Sequence, residues 1–128
     1  LPEAVHASLD AVQRALGPVL DRGVAELRAA ERPREKCARD LERLCAAYLL
    51  GLGEAGGVTR DAVARFHLNN GARMERLNPL ADLSDKGLRQ SLGLMVNYVY
   101  DLKTIERNHE RFVAGKTEAS KQVRALLG

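Results

Sequence analysis

Residues 66–78 read Phe-His-Leu-Asn-Asn-Gly-Ala-Arg-Met-Glu-Arg-Leu-Asn, and their pattern changes from helical to extended within a few positions. A helix is predicted over 62–68, and Asn70-Gly71 is typical of a left-handed helix end. In 72–78, small or apolar side chains alternate with charged ones, which is typical of a strand with one solvent-exposed face. The stretch therefore predicts a helix that turns directly into a strand, and the rest of the chain is expected to hold this junction.

A second strand is predicted over 94–100, where β-branched and aromatic residues are concentrated. A short helix over 85–92 separates it from the first strand. Tyr98 and Tyr100 are two positions apart and therefore share one face of the strand. If the two strands are neighbours, the tyrosines come within reach of His67.

The first half of the chain predicts a helical hairpin. One helical unit covers 2–30, with a break at Gly17-Pro18, and Arg32-Pro33 is expected to end it. A second helix is predicted over 35–50 by its apolar spacing. Further helices are predicted over 103–114 and 118–127. The expected N-caps are Asp21 for the second piece of the first unit, Thr59 for 62–68 and Ser84 for 85–92.

The predicted fold class is α+β and helix-rich, in the order helical hairpin, helix–strand, short helix–strand and helical tail. Two strands do not make a stable sheet alone. We therefore expect them either to pair with strands from another part of the parent protein or to cap a helical bundle. The chain is divided into a helical segment, 1–57, and a C-terminal segment, 58–128, within one partial domain.

Composition restricts the class of function. The chain has 128 residues, a net charge of +3 and 45% hydrophobic residues. Its basic residues alternate with acidic ones, which argues against nucleic acid as a partner. No apolar run reaches membrane-spanning length, so no membrane is expected either. Cys37 and Cys45 are eight positions apart on one predicted helix, which favours two core thiols in a reducing cytoplasm over a disulfide.

The residues alone leave the role of His67 open. Histidine titrates near neutrality, and a helix C-terminus favours its charged form, so proton transfer is possible here. An ordinary helix histidine is the more frequent outcome of such a pattern. Tyr98 and Tyr100 are likewise typical of a core edge. His6 and His109 have no partner spacing for a metal, and no common catalytic motif is present.

The junction itself resembles a known superfamily. Ala64-Arg65-Phe66-His67, followed by Gly71, is similar to the helix-to-strand junction of the GNAT acyltransferases, which places a general acid beside an acyl-CoA thioester. A narrower resemblance is to the C-terminal segment of the malonyl-CoA decarboxylases. It covers about residues 36–127, is dense over 62–110, and rests on the following groups: Phe66-His67-Leu68, Asn70-Gly71-Ala72, Arg76-Leu77-Asn78, Leu80-Ala81-Asp82, Ser84 with Lys86-Gly87-Leu88, Gln90-Ser91, Gly93-Leu94-Met95-Val96-Asn97-Tyr98 with Tyr100, and Ile105-Glu106 with Asn108-His109-Glu110.

The resemblance implies a GNAT-like catalytic domain that converts malonyl-CoA to acetyl-CoA and carbon dioxide without a metal or a separate cofactor. It implies that His67 is the proton donor to C2 of the enolate and that Tyr100 lies beside it. The family's catalytic serine lies in an upstream Ser-Pro loop, and none of the four serines here precedes a proline. The phosphate-binding loop for coenzyme A is upstream too.

We therefore expect an incomplete active site that is inactive in isolation. Its expected partners are an acyl-CoA substrate and either the remainder of the catalytic domain or further copies of the chain. The alternative is a truncated, non-catalytic GNAT-like module that binds an acyl group or a partner protein. An acyl-CoA acyltransferase is a third, weaker interpretation.

Overall fold

The structure is a computed structural model that describes residues 1–128, and it is an α+β fold rich in helices. This confirms the predicted class. No helix combines the length and the apolarity that crossing a bilayer requires. The elements in chain order are α1 (Glu3–Leu16), α2 (Val24–Ala29), α3 (Glu31–Lys36), α4 (Ala38–Leu49), α5 (Ala62–Asn69), β1 (Arg73–Asn78), α6 (Asp85–Ser91), β2 (Met95–Val99), α7 (Ile105–Val113) and α8 (Lys121–Ala125).

The predicted helical hairpin is formed by α1 and α4. The end of α1 packs against the start of α4 in a small apolar cluster that contains Leu16 and Cys37. Nearer the middle of α1, the hydroxyl of Ser8 donates to the carboxylate of Asp40 at 2.8 Å. α1 ends at Leu16, immediately before Gly17-Pro18, so the predicted break is confirmed.

Three details of this half were predicted wrongly. Pro33 does not end a helical unit but lies inside α3, near its start, where a missing N–H group leaves no hydrogen bond broken. The helix predicted over 35–50 is interrupted at Cys37, whose backbone angles (φ −104°, ψ 16°) lie outside the helical range. The N-cap of α2 is Gly23 (φ 99°), not Asp21.

The break at Cys37 comes shortly after the buried Arg34, which forms hydrogen bonds to α2. Its guanidinium donates to the carbonyl of Leu27 at 2.7 Å and to that of Arg28 at 2.8 Å. These carbonyls lie at the end of α2, where backbone acceptors lack the donor that a further helical turn would supply. The hydrogen bonds of Arg34 therefore hold α3 against α2. The chain changes direction at Cys37, and α4 then packs along α1.

β1 and β2 are neighbouring antiparallel strands, which meets the condition under which the tyrosines reach His67. Met74 pairs with Tyr98 and Leu77 with Val96, with a bulge between Met74 and Arg76. On its other side β1 is bordered by the segment 118–120: the N–H of Met74 donates to the carbonyl of residue 118, and its carbonyl accepts from the N–H of residue 120, both at 2.9 Å. The second edge of β2 has no backbone partner in the chain.

The segment beside β1 shortens the last predicted helix. Residues 118–120 are extended, so α8 begins only at Lys121 rather than at Glu118. Ser120 is its N-cap and accepts from the N–H of Val123 at 3.2 Å. The sequence pattern did not separate these residues, because they pair with β1 through backbone groups rather than through a recognisable side-chain pattern.

One core cluster of 11 buried residues contains side chains from both sides of residue 57. Its most buried members come from α4, from the helix-to-strand junction and from the end of the chain. The members are Ala46, Leu49, Leu50, Ala64, Leu68, Met74, Leu77, Leu94, Phe112, Val123 and Leu126. The junction is therefore held by α4 on one side and by α7 and α8 on the other.

Candidate active site

Helix α5, which carries the candidate histidine, begins at Ala62 and is capped by Asp61. The carboxylate of Asp61 accepts from the N–H of Ala64 at 2.9 Å, so Asp61 is the N-cap. Thr59 was predicted for this role, and that prediction is wrong. Its hydroxyl instead accepts from the N–H of Asp61 at 3.1 Å, and Thr59 is fully buried. The cap therefore lies at the third residue before Ala64, which is the ordinary N-cap spacing.

The end of α5 is fixed more firmly than its start. Gly71 has φ 91°, in the left-handed region predicted for it. The N–H of Ala72 donates to the carbonyl of His67 at 3.1 Å. The amide of Asn108, on α7, donates to the carbonyl of Gly71 at 3.1 Å. These contacts fix the point at which α5 becomes β1, and His67 lies one turn before it.

The structure brings His67 together with Tyr98 on β2 and with Tyr100, which directly follows β2. Nδ1 of His67 lies 2.7 Å from Oη of Tyr100. The imidazole also stacks on the ring of Tyr98, with the centroids 4.3 Å apart and the planes inclined by 19°. Nε2 of His67 has no hydrogen-bond partner within the chain. Both tyrosines therefore contact His67 from the same face of β2, as the alternation of side chains predicted.

The imidazole opens onto a groove of about 740 Å³ between α4, α5, α6 and β2, which we call the His67 groove. Its wall is mostly apolar, with Asp61 and Arg89 as its only fully charged side chains. Its lining residues are Leu41, Leu44, Cys45, Tyr48, Leu49, Asp61, Val63, His67, Arg89, Gln90, Ser91, Leu92, Leu94, Met95, Val96 and Tyr98. Tyr100 is 45% exposed and is not part of this wall.

Burial keeps two ionisable groups of the wall, Cys45 and Tyr98, in their neutral forms. Burial and, as the smaller cause, the nearby carboxylate of Asp61 together raise the pKa of the Cys45 thiol to about 12. Burial likewise raises the pKa of the Tyr98 hydroxyl, with Asp61 as the second cause. At neutral pH neither group is a useful acid or base, because each stays protonated. The imidazole of His67 remains the candidate proton donor of the groove.

We expect Cys45 to resist iodoacetamide in the folded protein at pH 8 and to react once the protein is unfolded in urea, because only the thiolate is alkylated. The same shift in the pKa of Cys45 also makes the free energy of unfolding depend on pH. The thiol loses its proton near its ordinary value of 9.0 when unfolded and near 12 when folded. The free energy of unfolding should therefore fall as pH rises above 9.0.

Urea unfolding at pH 7 and pH 10 checks this expectation, with Cys45→Ala as the matched control. The variant should lose less stability between the two pH values than the wild type. Rapid alkylation of Cys45 in the folded protein, or an equal loss in the variant, would contradict the assignment.

The spacing of Tyr98 and Tyr100 predicted that both come within reach of His67, because residues two apart on a strand share a face. It did not predict that Tyr98 stacks on the imidazole while Tyr100 forms the hydrogen bond. Asp61 was also missed as a member of the groove. The structure contains no group of three or more His, Cys, Asp or Glu side chains placed to hold a metal ion.

The chain is similar to known proteins over almost its whole length. Residues 4–128 match the family described as malonyl-CoA decarboxylase C-terminal domain. The mitochondrial malonyl-CoA decarboxylase of Rattus norvegicus is 39% identical over 126 residues, which are 98% of this chain and 25% of that protein. The one from Mus musculus is 47% identical over 88 residues, which are 68% of this chain and 18% of that protein. The chain thus spans about a quarter or less of these relatives.

Solved structures agree in fold. The crystal structure of malonyl-CoA decarboxylase from Agrobacterium vitis has a TM-score of 0.72 and 44% identity, over 91% of this chain and 28% of that one. The one from Rhodopseudomonas palustris has a TM-score of 0.68 and 48% identity, over 75% and 22%. At these levels of identity, both the sequence and the fold are shared. The chain therefore belongs to the malonyl-CoA decarboxylase C-terminal domain family.

Proposed function

We propose that this chain is the proton-donating part of a malonyl-CoA decarboxylase active site, which releases carbon dioxide from malonyl-CoA and forms acetyl-CoA. The observation that carries the proposal is the arrangement of His67. Its Nδ1 lies 2.7 Å from the hydroxyl of Tyr100, its ring rests on Tyr98, and its Nε2 has no partner in the chain. An imidazole held in this way has one nitrogen available to a ligand.

The chemistry needs one proton from the protein. Cleavage of the bond between the carboxylate carbon and C2 releases carbon dioxide and leaves the electron pair as the enolate of the acetyl thioester. In the protonated imidazole, Nδ1–H donates to Tyr100 and Nε2–H transfers its proton to C2, which gives acetyl-CoA. Water then restores the proton to His67. A residue that titrates near neutrality suits this general-acid step.

The wall of the His67 groove supports this role. Apolar side chains exclude water from the neighbourhood of the enolate, which protects it from uncontrolled protonation and strengthens the hydrogen bonds around it. The enolate oxygen also needs donors aimed at it. This chain offers no such pair of donors beside His67. We propose that they come from the part of the catalytic domain that lies outside these residues.

The unpaired edge of β2 also supports the remainder of the catalytic domain as the partner of this chain. An exposed strand edge is a template for pairing with another strand, and β2 has no backbone neighbour on that side. We propose that the remainder of the domain pairs there and closes the groove. The cytoplasm remains the proposed compartment, because the solved relatives from Agrobacterium vitis and Rhodopseudomonas palustris are bacterial proteins.

The direct test measures the formation of acetyl-CoA and carbon dioxide from malonyl-CoA by the full-length protein. Residues 1–128 alone are the comparison. We expect turnover by the full-length protein and none by the isolated chain. Binding of an acyl-CoA without turnover by the full-length protein would favour the non-catalytic module, for which the mostly apolar lining of the groove is the supporting observation.

We expect Tyr100→Phe to lower kcat about tenfold with little change in KM, because the ring stays while the hydroxyl that fixes Nδ1 of His67 is lost. Steady-state kinetics of the full-length protein measure this. Asn97→Ala is the matched control, since Asn97 is exposed and lies on the opposite face of the same strand. An unchanged kcat in Tyr100→Phe would exclude a role for this hydroxyl.

A further inference from the structure

Tyr98 is held firmly beneath the imidazole of His67. It lies on β2 opposite Met74, which is fully buried, and its side chain packs against the main core cluster. The two ring planes are inclined by only 19°, with 4.3 Å between their centroids. Tyr98 therefore presents one ring face to His67, while strand pairing and core packing prevent it from moving away.

The hydroxyl of Tyr98 takes no part in this contact. It forms no hydrogen bond within the chain, whereas the hydroxyl of Tyr100 meets Nδ1 of His67. Burial also raises the pKa of the Tyr98 phenol, which keeps it neutral. The two tyrosines therefore act on the imidazole in different ways: Tyr100 through its oxygen, and Tyr98 through the face of its ring.

The two contacts together define the orientation of the imidazole. A histidine ring on a helix turns about two side-chain torsions. The stack on Tyr98 sets the plane of the ring, and the hydrogen bond to Tyr100 sets which nitrogen faces β2. A single hydrogen bond would still let the ring swing about the line that joins Nδ1 to Oη. The stack removes that freedom, so Nε2 keeps one direction.

The electrostatics of the stack act in the same direction. The face of an aromatic ring carries negative charge density and attracts a cation placed over it. The imidazolium form of His67 therefore gains from Tyr98 in addition to what it gains from the end of α5. Phenylalanine would supply a similar ring face, and an aliphatic side chain would not.

We propose that Tyr98 is a positioning residue that acts through its ring: it fixes the plane of His67 so that Nε2 is aimed at the reacting carbon of the substrate. This rests on the proposed decarboxylation. Tyr98 does not exchange a proton. Its effect is on the step that follows loss of carbon dioxide, and hence on kcat rather than on the binding of the acyl-CoA.

The test compares Tyr98→Phe with Tyr98→Leu in the full-length protein. Tyr98→Phe should keep kcat within about twofold, because the ring face remains. Tyr98→Leu should lower kcat about tenfold with KM within about twofold, since a loosely held catalytic group costs rate rather than binding. Unchanged kcat in Tyr98→Leu, or an equal loss in both variants, would overturn the proposal.

A spectroscopic arm separates this proposal from the proposed function. In protein with ¹³C- and ¹⁵N-labelled histidine, the ring signals of His67 should be shielded by Tyr98 in the wild type and in Tyr98→Phe, but not in Tyr98→Leu. If the wild type does not decarboxylate malonyl-CoA, the proposed function fails while this arm still tests the stack. Tyr98→Val, which suits a strand, replaces Tyr98→Leu if circular dichroism shows that the latter is unfolded; its expected signals and kcat are the same.

Discussion

His67→Ala should lower kcat of the full-length protein by about a hundredfold or more, with KM changed by only a few fold. A positioned general acid typically contributes about 10²–10⁴-fold to a rate, and His67 is the proposed proton donor of the groove. Loss of an interaction made only in the transition state lowers kcat and kcat/KM equally. Formation of acetyl-CoA from malonyl-CoA, followed over a range of substrate concentrations, measures both constants.

His6→Ala is the matched control for that loss, because His6 is exposed on the first turns of α1 and contacts nothing in the groove. His109 is the poorer control. Its Nδ1 lies 2.5 Å from the carbonyl of Asn69, so its removal would disturb the end of α5. If His67→Ala kept wild-type turnover, this imidazole would not be the proton donor. Equal losses in His67→Ala and His6→Ala would indicate general damage to the fold.

Gly71→Ala should reduce the free energy of unfolding by about 2–5 kcal/mol. Gly71 has φ 91°, where a side chain is strained. A Cβ atom there would lie 2.4 Å from the carbonyl oxygen of Ile105 and 2.8 Å from its Cγ2 atom. Backbone at the start of α7 would have to move, because the obstructing oxygen is not the end of a flexible side chain. Urea unfolding followed by circular dichroism gives the free energy.

Gly56→Ala provides the control for this effect. Gly56 does not have a positive φ, and an added Cβ would meet no heavy atom within 4 Å. The free energy of unfolding of the Gly56→Ala variant should stay within about 0.5 kcal/mol of the wild-type value, as for other substitutions on open surface. Similar losses in the two variants would mean that the close approach of α7 to the junction is not the cause. Gly71→Ala should also lower turnover, since His67 lies four residues before Gly71.

The sequence was sufficient to predict the helix-to-strand junction, because its signals are local. An apolar helix pattern, an Asn-Gly end and an alternating strand follow one another within 62–78. The contact between His67 and Tyr100 also followed from period and strand pairing. What the residues alone did not supply was a reason to prefer a catalytic histidine over an ordinary one, and only the family resemblance favoured it.

The errors have a common origin in competition between residues of similar propensity. Thr59 and Asp61 are both good N-caps, and burial of Thr59 decided between them. The pattern over 35–50 continues through Cys37, whereas the buried Arg34 and its bonds to α2 interrupt the helix there. The position of a cap or a helix break depends on contacts with residues far away in the sequence. Neither residue propensity nor spacing carries information about those contacts.

The position of residues 118–126 beside β1 has a consequence for synthesis of the protein. Leu68 and Met74 are almost completely buried, and part of their cover is Val123 and Leu126. About 50 residues separate Met74 from Leu126, and a ribosome that adds about 5–20 residues per second needs roughly 3–10 s to make them. During that interval the nascent junction exposes its apolar side, so molecular chaperones have a defined period in which to protect it.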